Sequence, residues 1–469
     1  MNKRSRLFVF EKVAVTDAGA KGKAVAKSPD GRVIFLKNAV PGDLVDVCVK
    51  RKKSSYYEGL ATKFHEYSTK RVEAPCQHFE DCGGCKWQQM GYEHQLYYKQ
   101  KEVVENLERL GHLELNEVLP ILGAKEQYGY RNKMEFSFSS SRWVPQKELD
   151  LNAPIKNRNA CGLHVAGMWD KVLDIEKCLL QDDISNKIRN FIKSFSEEHE
   201  LSFFSPKLHT GLLRTMMLRI TTKNELMLVI QFFENQAANI QKLLTAVAEN
   251  FPEITSLQYV INAKANDSLY DQDIILFNGK DHIEETMEGL TFKIGPKSFY
   301  QTNSIQAYEL YKVIRDFAEL SGNEIVYDFY TGIGTIAQFL ANNCKKVVGI
   351  ETVPEAIEDA KENAKLNNIT NATFFAGDLK DVFNQEFIKK NGKADIIITD
   401  PPREGMHKKV VSTILELMPS KIVYVSCNSA TQARDLALMK DHYKIVKLQA
   451  VDMFPQTHHI ENVVLLEKR

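Results

Sequence analysis

From about residue 291 onward, compact β-branched runs alternate with longer amphipathic stretches. The runs "EIVYDFY", "KVVGIE", "TFFAGD", "ADIIITD", "KIVYVSC" and "NVVLLEK" have the length and apolar continuity of buried strands. Between them, "IAQFLANN" and "PEAIEDAKENAKLNN" carry helical spacing. This alternation predicts a doubly wound, mostly parallel α/β sheet wrapped by helices, with ligands at the carboxyl ends of its strands. Residues 1 to about 70 read differently. In "GKAVAKSPDGRVIFLKNAVPGDLVDVCVK" short apolar runs are broken by turn residues: Asp30-Gly31 is a hairpin signal and Pro41-Gly42 a second turn. So many short strands in so small a segment predict a closed β-barrel, because closure removes exposed edges. The stretch from 76 to about 290 mixes both periods. It has a helix over "HQLYYKQKEVVENLERL" that ends at Gly111, then strands in "KMEFSFSS" and "TMMLRITTKNELMLVIQFF".

Composition narrows the class. With 43% hydrophobic and 26% charged residues, the chain has the make-up of an ordinary globular protein, and 469 residues suggest about three domains. No apolar stretch approaches the roughly 20 residues of a membrane span, and the apolar part of the N-terminus is too short for a secretion signal. A cytoplasmic location follows as the expectation, so the eight cysteines are not read as disulfides. The net charge is +0, yet residues 1–75 hold sixteen Lys and Arg against eight Asp and Glu, with the run Lys50-Arg51-Lys52-Lys53. Such an excess is either a solvated surface or a face that neutralises phosphates.

Chemistry gathers at the turns. "DFYTGIGTIA" sits at the first strand-to-helix turn of the α/β region, where Gly332 and Gly334 let the backbone approach a ligand. Glu351 ends the next strand 19 positions after Gly332, the distance of a carboxylate that binds ribose hydroxyls. The glycine pattern also fits a dinucleotide fingerprint, so a NAD-dependent oxidoreductase is a rival at this point. "DIIITDPPR" shifts the balance: a strand ending in Asp400 and stiffened by two prolines places an acceptor in the crevice. Asp-Pro-Pro is common in enzymes that methylate flat nucleobases, which makes S-adenosylmethionine the better cofactor.

The cysteines sort by context. Cys76, Cys82 and Cys85 form C-x5-C-x2-C in a glycine-rich loop, a thiolate set suited to a soft metal. The fourth ligand is Cys161 or Cys178, and spacing leaves a zinc site and an iron–sulfur cluster both open. His78 is a further possible ligand. Cys48 and Cys344 read as packing residues. Cys427, in "YVSCNS", stands alone after a strand; Glu461, in "FPQTHHIENVVLL", presents a carboxylate at the start of the last one. No H-E-x-x-H spacing supports a metal at His458 and His459.

Together, C-x5-C-x2-C, "SFYQTN", "DFYTGIGT", "DPPR", "SCN" and "FPQTHHIE" resemble the RNA uracil-5-methyltransferase family, in particular its bacterial 23S rRNA branch that carries a 4Fe-4S cluster. The resemblance covers essentially the whole chain. It implies a TRAM RNA-binding barrel of OB-like type over residues 1–70. It implies an α+β central domain with the cluster over 75–94 and 128–290, and a class I S-adenosylmethionine-dependent methyltransferase domain over 95–127 and 291–469. It also implies cluster ligands Cys76, Cys82, Cys85 and Cys178; cofactor-site residues Gln301, Tyr330, Thr335, Glu351, Asp378 and Asp400; nucleophile Cys427; and base Glu461. The chain departs from the family pattern at Thr331, Thr335 and Ser429, and none of these removes a reacting group.

The implied chemistry is thiolate addition to carbon 6 of uracil, methylation of carbon 5, and removal of the carbon 5 proton. The implied partner is RNA, with 23S rRNA first and tRNA as the alternative, and no membrane or obligate protein partner is indicated. "YGYRNK" (residues 128–133) and the basic barrel are candidate RNA contacts. A radical methylthiotransferase would need a C-x3-C-x2-C triplet, which is missing. A non-catalytic RNA-binding protein would leave Cys427 and Glu461 without a use.

Overall fold

The computed structural model of the chain describes residues 8–151, 154–155 and 157–469; the basic residues within 1–7 lie outside them. Strands Val9–Gly19, Lys23–Lys27, Val33–Lys37, Leu44–Lys52 and Tyr56–Glu66 close into a five-stranded barrel. Its closure follows from strict alternation: Val45, Val47 and Val49 are buried while Leu44, Asp46 and Cys48 between them face outward. At Asp30-Gly31 the chain reverses with Gly31 at φ +82°, and the Ser28 N–H donates to the Arg32 carbonyl at 2.9 Å.

A second sheet of eight strands follows. It is ordered Ile275–Gly279, Ile254–Ile261, Leu226–Phe232, Leu213–Ile220, Lys133–Ser139, Ala160–His164, Val172–Asp174 and Arg142–Trp143. Helices Asp183–Glu198 and Ala237–Asn250 cover one face, with Ile188, Ile192, Leu243 and Leu244 packed on Phe136, Phe138, Leu218 and Leu228.

The third sheet is the one that positions the chemistry. Its order is Ala372–Ala376, Lys346–Glu351, Ile325–Phe329, Ile396–Thr399, Lys421–Ser426, Glu461–Lys468, Tyr443–Val451 and Glu117–Leu122. The first five strands are parallel. The inner four of these, buried on both faces, are apolar without alternation: Ile396 to Thr399 are all buried. Glu461–Lys468 runs antiparallel between its neighbours, because residues 452–460 return the chain without the crossover helix that a parallel step needs. The edge strand Glu117–Leu122 comes from far earlier in the chain and pairs in parallel with Tyr443–Val451. Pro120 is tolerated there because an edge strand has a side without partners. Leu310, Ile314, Ile336 and Ile357 pack one side of the sheet; Val103, Leu107, Val410 and Ile414 pack the other. This is a doubly wound α/β sheet with helices on both faces. No helix among the described residues is long and apolar enough to cross a membrane.

Candidate active site

The strand Ile325–Phe329 ends at a turn built for close approach. Tyr330, Gly332 and Gly334 have φ of 62°, 55° and 79°, the left-handed region. A Cβ at Gly332 would meet nothing within 4 Å, so this glycine faces open space; one at Gly334 would lie 3.0 Å from Phe374 and 3.1 Å from Ala360. The Asp328 carboxylate holds the turn together by accepting from the Thr331 hydroxyl and, at 3.1 Å, from the Ala337 N–H. Burial pushes this acid up to about 7, against the Thr331 hydroxyl that holds it down.

Glu351 closes the far side of the turn. Its carboxylate accepts from the Gly332 N–H at 3.1 Å, the Thr352 N–H at 2.7 Å and the Val353 N–H at 3.1 Å. Asp378 follows the neighbouring strand, caps the short helix Leu379–Val382 and pairs with Lys380. The Tyr330 hydroxyl is pushed up to about 12 by burial and then by the charges of Asp378, Asp435 and Glu351, which places it among these carboxylates. Thr335 shares a hydrogen bond with the Tyr311 hydroxyl at 2.9 Å. Tyr330, Gly332, Gly334, Thr335, Glu351 and Asp378 therefore cluster around one turn. Gln301 arrives from the "SFYQTN" segment: Asn132 donates to its carbonyl at 2.8 Å, and Asn303 ties the segment to the Met453 carbonyl at 3.0 Å.

A second group stands beside the first. Ser426 pairs with Asn462 in the antiparallel register, so the next step along each strand sets Cys427 opposite Glu461. Thr399 pairs with Tyr424 in the parallel register, which brings Asp400 to the same sheet edge. Ser426 and Asn428 flank the thiol for a structural reason. The Ser426 hydroxyl donates to the Asn428 carbonyl and accepts from its N–H, both at 3.1 Å. The Asn428 side chain then caps the following helix through the Ala430 N–H and donates to the Arg403 carbonyl at 2.9 Å. "SCN" is thus a joint between the thiol and the "DPPR" loop.

The electrostatics of this group are those of competing acids. Burial raises Asp400. Burial and then the Asp400 charge raise Glu461 well above the usual carboxylate range, while Arg403 opposes the rise. Burial, followed by the Glu461 and Asp400 charges, pushes the Cys427 thiol up to about 12, and Arg403 again opposes. Arg403 is the nearby cation for both groups. Arg403 in "DPPR" and Asp328 in "DFYTGIGT" carry no sequence signal of these roles, which arise only from the folded turns. His458 and His459 are pushed down to about 3 and about 4, first by burial, so both imidazoles are neutral.

The grouped cysteines lie apart from this edge. Cys76, Cys82, Cys85 and Cys178 all line one cavity of about 500 Å³, together with Thr302, Thr457 and His459 from the catalytic side. Cys161 is fully buried in the central sheet, its sulfur 3.9 Å from that of Met216. The structure therefore puts Cys178, and not Cys161, with the triplet. His78 is committed elsewhere: its Nε2 accepts the Glu176 N–H at 3.0 Å and so pins the cysteine loop to the segment before Cys178. Among the described residues, no three His, Cys, Asp or Glu side chains are gathered tightly enough to hold a single ion.

Comparison with known proteins gives the family. The family profile for tRNA (uracil-5-)-methyltransferases matches residues 182–469. An uncharacterized RNA methyltransferase of Bacteroides thetaiotaomicron is 54% identical over 96% of this chain and 100% of its own. Another from Chlorobaculum tepidum is 39% identical over 97% of this chain and 96% of its own. Among solved structures, the Pyrococcus abyssi tRNA (uracil-54, C5)-methyltransferase in complex with S-adenosyl-L-homocysteine superposes with a TM-score of 0.74. It is 28% identical and covers 97% of this chain and 100% of its own. The chain belongs to the tRNA (uracil-5-)-methyltransferase family of RNA methyltransferases.

Proposed function

We propose that the protein methylates carbon 5 of a uridine in RNA, with Cys427 as nucleophile and Glu461 as base. The observation that carries this reading is the placement of thiol and carboxylate opposite each other at one sheet edge, beside Asp400 and within the field of Arg403. Carbon 5 of uracil is too electron-poor to take a methyl group directly. Addition of the Cys427 thiolate to carbon 6 makes the neighbouring carbon nucleophilic, and after its alkylation Glu461 removes the carbon 5 proton so that the thiol is eliminated. Burial makes Glu461 a stronger base than a solvated glutamate. Asp400, facing the N3–H of the ring, would select uracil over cytosine.

S-adenosylmethionine supplies an electrophilic methyl group when bound. Gln301, Tyr330, Gly332, Gly334, Thr335, Glu351, Asp378 and Asp400 are the residues read as its site. The cluster of six of them at one turn, with the open face at Gly332, fits that reading. The barrel is read as a TRAM domain that grips RNA. Beside it a cavity of about 440 Å³ around Phe35 is lined by Lys23, Lys37, Lys50 and Arg51 and by Glu58 and Glu80; Glu58 pairs with Lys23 and Arg51, which leaves Lys37 and Lys50 as the cations for phosphates. The first RNA to test is 23S rRNA, with tRNA as the alternative that the Pyrococcus neighbour supports. Mapping 5-methyluridine in RNA from a deletion strain decides between them. Loss from one class alone identifies the substrate, and no loss from either contradicts the function.

Arg403 is the source of thiolate stabilisation in this reading. Arg403→Ala removes the cation that holds the thiol down, so the thiol pKa rises and less thiolate exists at any lower pH. The rate falls about tenfold per unit of rise and recovers as pH is increased. A pH–rate profile identical to that of the unaltered protein would exclude this role.

The four cysteines are read as ligands of a 4Fe-4S cluster. All four line one cavity, which brings Cys178 together with the three thiols of the cysteine loop. Protein purified without oxygen is expected to carry about four iron and four sulfide per chain, and Cys82→Ser to lose most of both. One zinc per chain in their place would overturn the assignment.

A further inference from the structure

Helix Tyr92–Glu105 presents Tyr92, Gln95 and Lys99 along one stripe. All three grip residues 452–456, the segment that returns the chain into the strand begun by Glu461. Lys99 and Asp452 form an ion pair at 2.6 Å with both side chains fully buried. Lys99 also donates to the Phe454 carbonyl at 3.1 Å, and the Asp452 carboxylate accepts from the Phe454 N–H at 3.1 Å and the Tyr92 hydroxyl at 2.9 Å. Gln95 and Gln456 complete the clasp reciprocally. The Gln95 amide donates to the Gln456 side-chain oxygen, and the Gln456 N–H donates to the Gln95 side-chain oxygen, both at 3.0 Å.

Gln456 has φ of 68°, a strained setting for a residue with a Cβ. That conformation accompanies a carbonyl that accepts from the N–H groups of Lys86 and Trp87, immediately after Cys85, at 3.0 and 3.1 Å. The segment is therefore fixed from two sides, by the helix and by the cysteine loop. An apolar pair of similar volume would hold the helix at least as firmly as a buried ion pair. What the charged pair adds is direction, since each of its bonds fixes an orientation of the chain.

We infer that Lys99, Asp452 and Gln95 are positioning residues for Glu461: the buried clasp sets the path of the segment 452–460 and hence the carboxylate's approach to the ring. The inference rests on the proposed role of Glu461 as base. Loosening the clasp slows proton removal and elimination while leaving thiol addition and alkylation, which depend on the other strand ends, in place. A displacement of about 1 Å at a reacting group can cost about a hundredfold.

The test uses the full chain with Lys99→Met and the milder Tyr92→Phe, and compares both with Glu461→Gln. Turnover, KM for RNA, thermal stability and the steady-state fraction of protein joined to RNA on a denaturing gel are measured for each. Lys99→Met is expected to lose about tenfold to a hundredfold in turnover, with KM within about twofold and a joined fraction raised toward that of Glu461→Gln. Tyr92→Phe shows the same direction at smaller size and decides the matter alone if Lys99→Met does not fold. Unchanged turnover in both, or a loss of turnover without a rise in the joined fraction, overturns the inference. If Glu461→Gln itself joins no RNA, the reading of Glu461 fails and the clasp's assigned purpose goes with it.

Discussion

Replacing Cys427 with alanine lowers turnover by about three orders of magnitude or more and leaves S-adenosylmethionine binding within about twofold. The size follows from the bond that is lost. Without a sulfur at carbon 6, carbon 5 has no route to nucleophilic character, and no other thiol stands at this sheet edge: Cys344 is buried in the core and the grouped cysteines line a separate cavity. Six of the residues proposed for the cofactor site cluster at a different strand end, around Gly332 and Glu351, and only Asp400 stands beside the thiol, so most of that geometry survives the substitution. Calorimetric titration with the cofactor, alongside tritium transfer to RNA, separates the two effects. Methyl transfer persisting in Cys427→Ala would refute the mechanism, and loss of cofactor binding would move Cys427 into the cofactor site.

Glu461→Gln has the second largest expected effect, and it differs in kind. Turnover falls by about a hundredfold to ten-thousandfold, while a covalent protein–RNA species accumulates. The amide cannot take the carbon 5 proton, so the alkylated ring stays joined to sulfur. Entry into that state is not slowed. The Glu461 charge pushes the Cys427 thiol up, and the Asp400 and Glu461 charges oppose each other. A neutral amide removes one carboxylate from the site, so thiolate forms at least as readily. A slow-migrating band in denaturing gels, dependent on RNA and cofactor, is the expected result. Its absence together with slow turnover would remove Glu461 from the role of base.

Much of the third sheet was legible because its strands are short and apolar without interruption. "IIIT" and "IVYV" could be little else once "IAQFLANN" and "PEAIEDAKENAKLNN" separated such runs with helices. The barrel was legible from its turn residues, since Asp30-Gly31 and Pro41-Gly42 divide segments too short to be helices. Edge strand Glu117–Leu122 was not legible as a strand, although the family resemblance assigned residues 95–127 to the methyltransferase domain. Its "EVLPIL" contains a proline and pairs with a strand more than 300 positions later, a contact that no local period encodes.

The candidate site divides in the same way. Cys427, Glu461, Asp400 and Glu351 were visible as polar residues at strand ends. Cys427 and Glu461 were also legible as partners, since both stand at sheet ends; what the sequence did not contain was the antiparallel register of the last strand, which sets them opposite each other. Arg403 is exposed, and its influence exists only through the folding of the "DPPR" loop onto Asn428. Spacing left Cys161 and Cys178 equal as fourth thiol, and burial in the sheet separates them. Lys99 and Asp452 are 353 positions apart, and a lone lysine in a helix with polar neighbours carries no sign of a buried partner.

RNA that bears 5-fluorouridine at the target tests the central claim most directly, because fluorine cannot leave carbon 5 as a proton does and the reaction halts with the ring attached. Incubation with S-adenosylmethionine and the fluorinated RNA should give a conjugate that survives denaturation, with mass mapping to the peptide containing Cys427. A target RNA that is methylated in its normal form but yields no conjugate when fluorinated, or a conjugate through any other residue, would contradict the account.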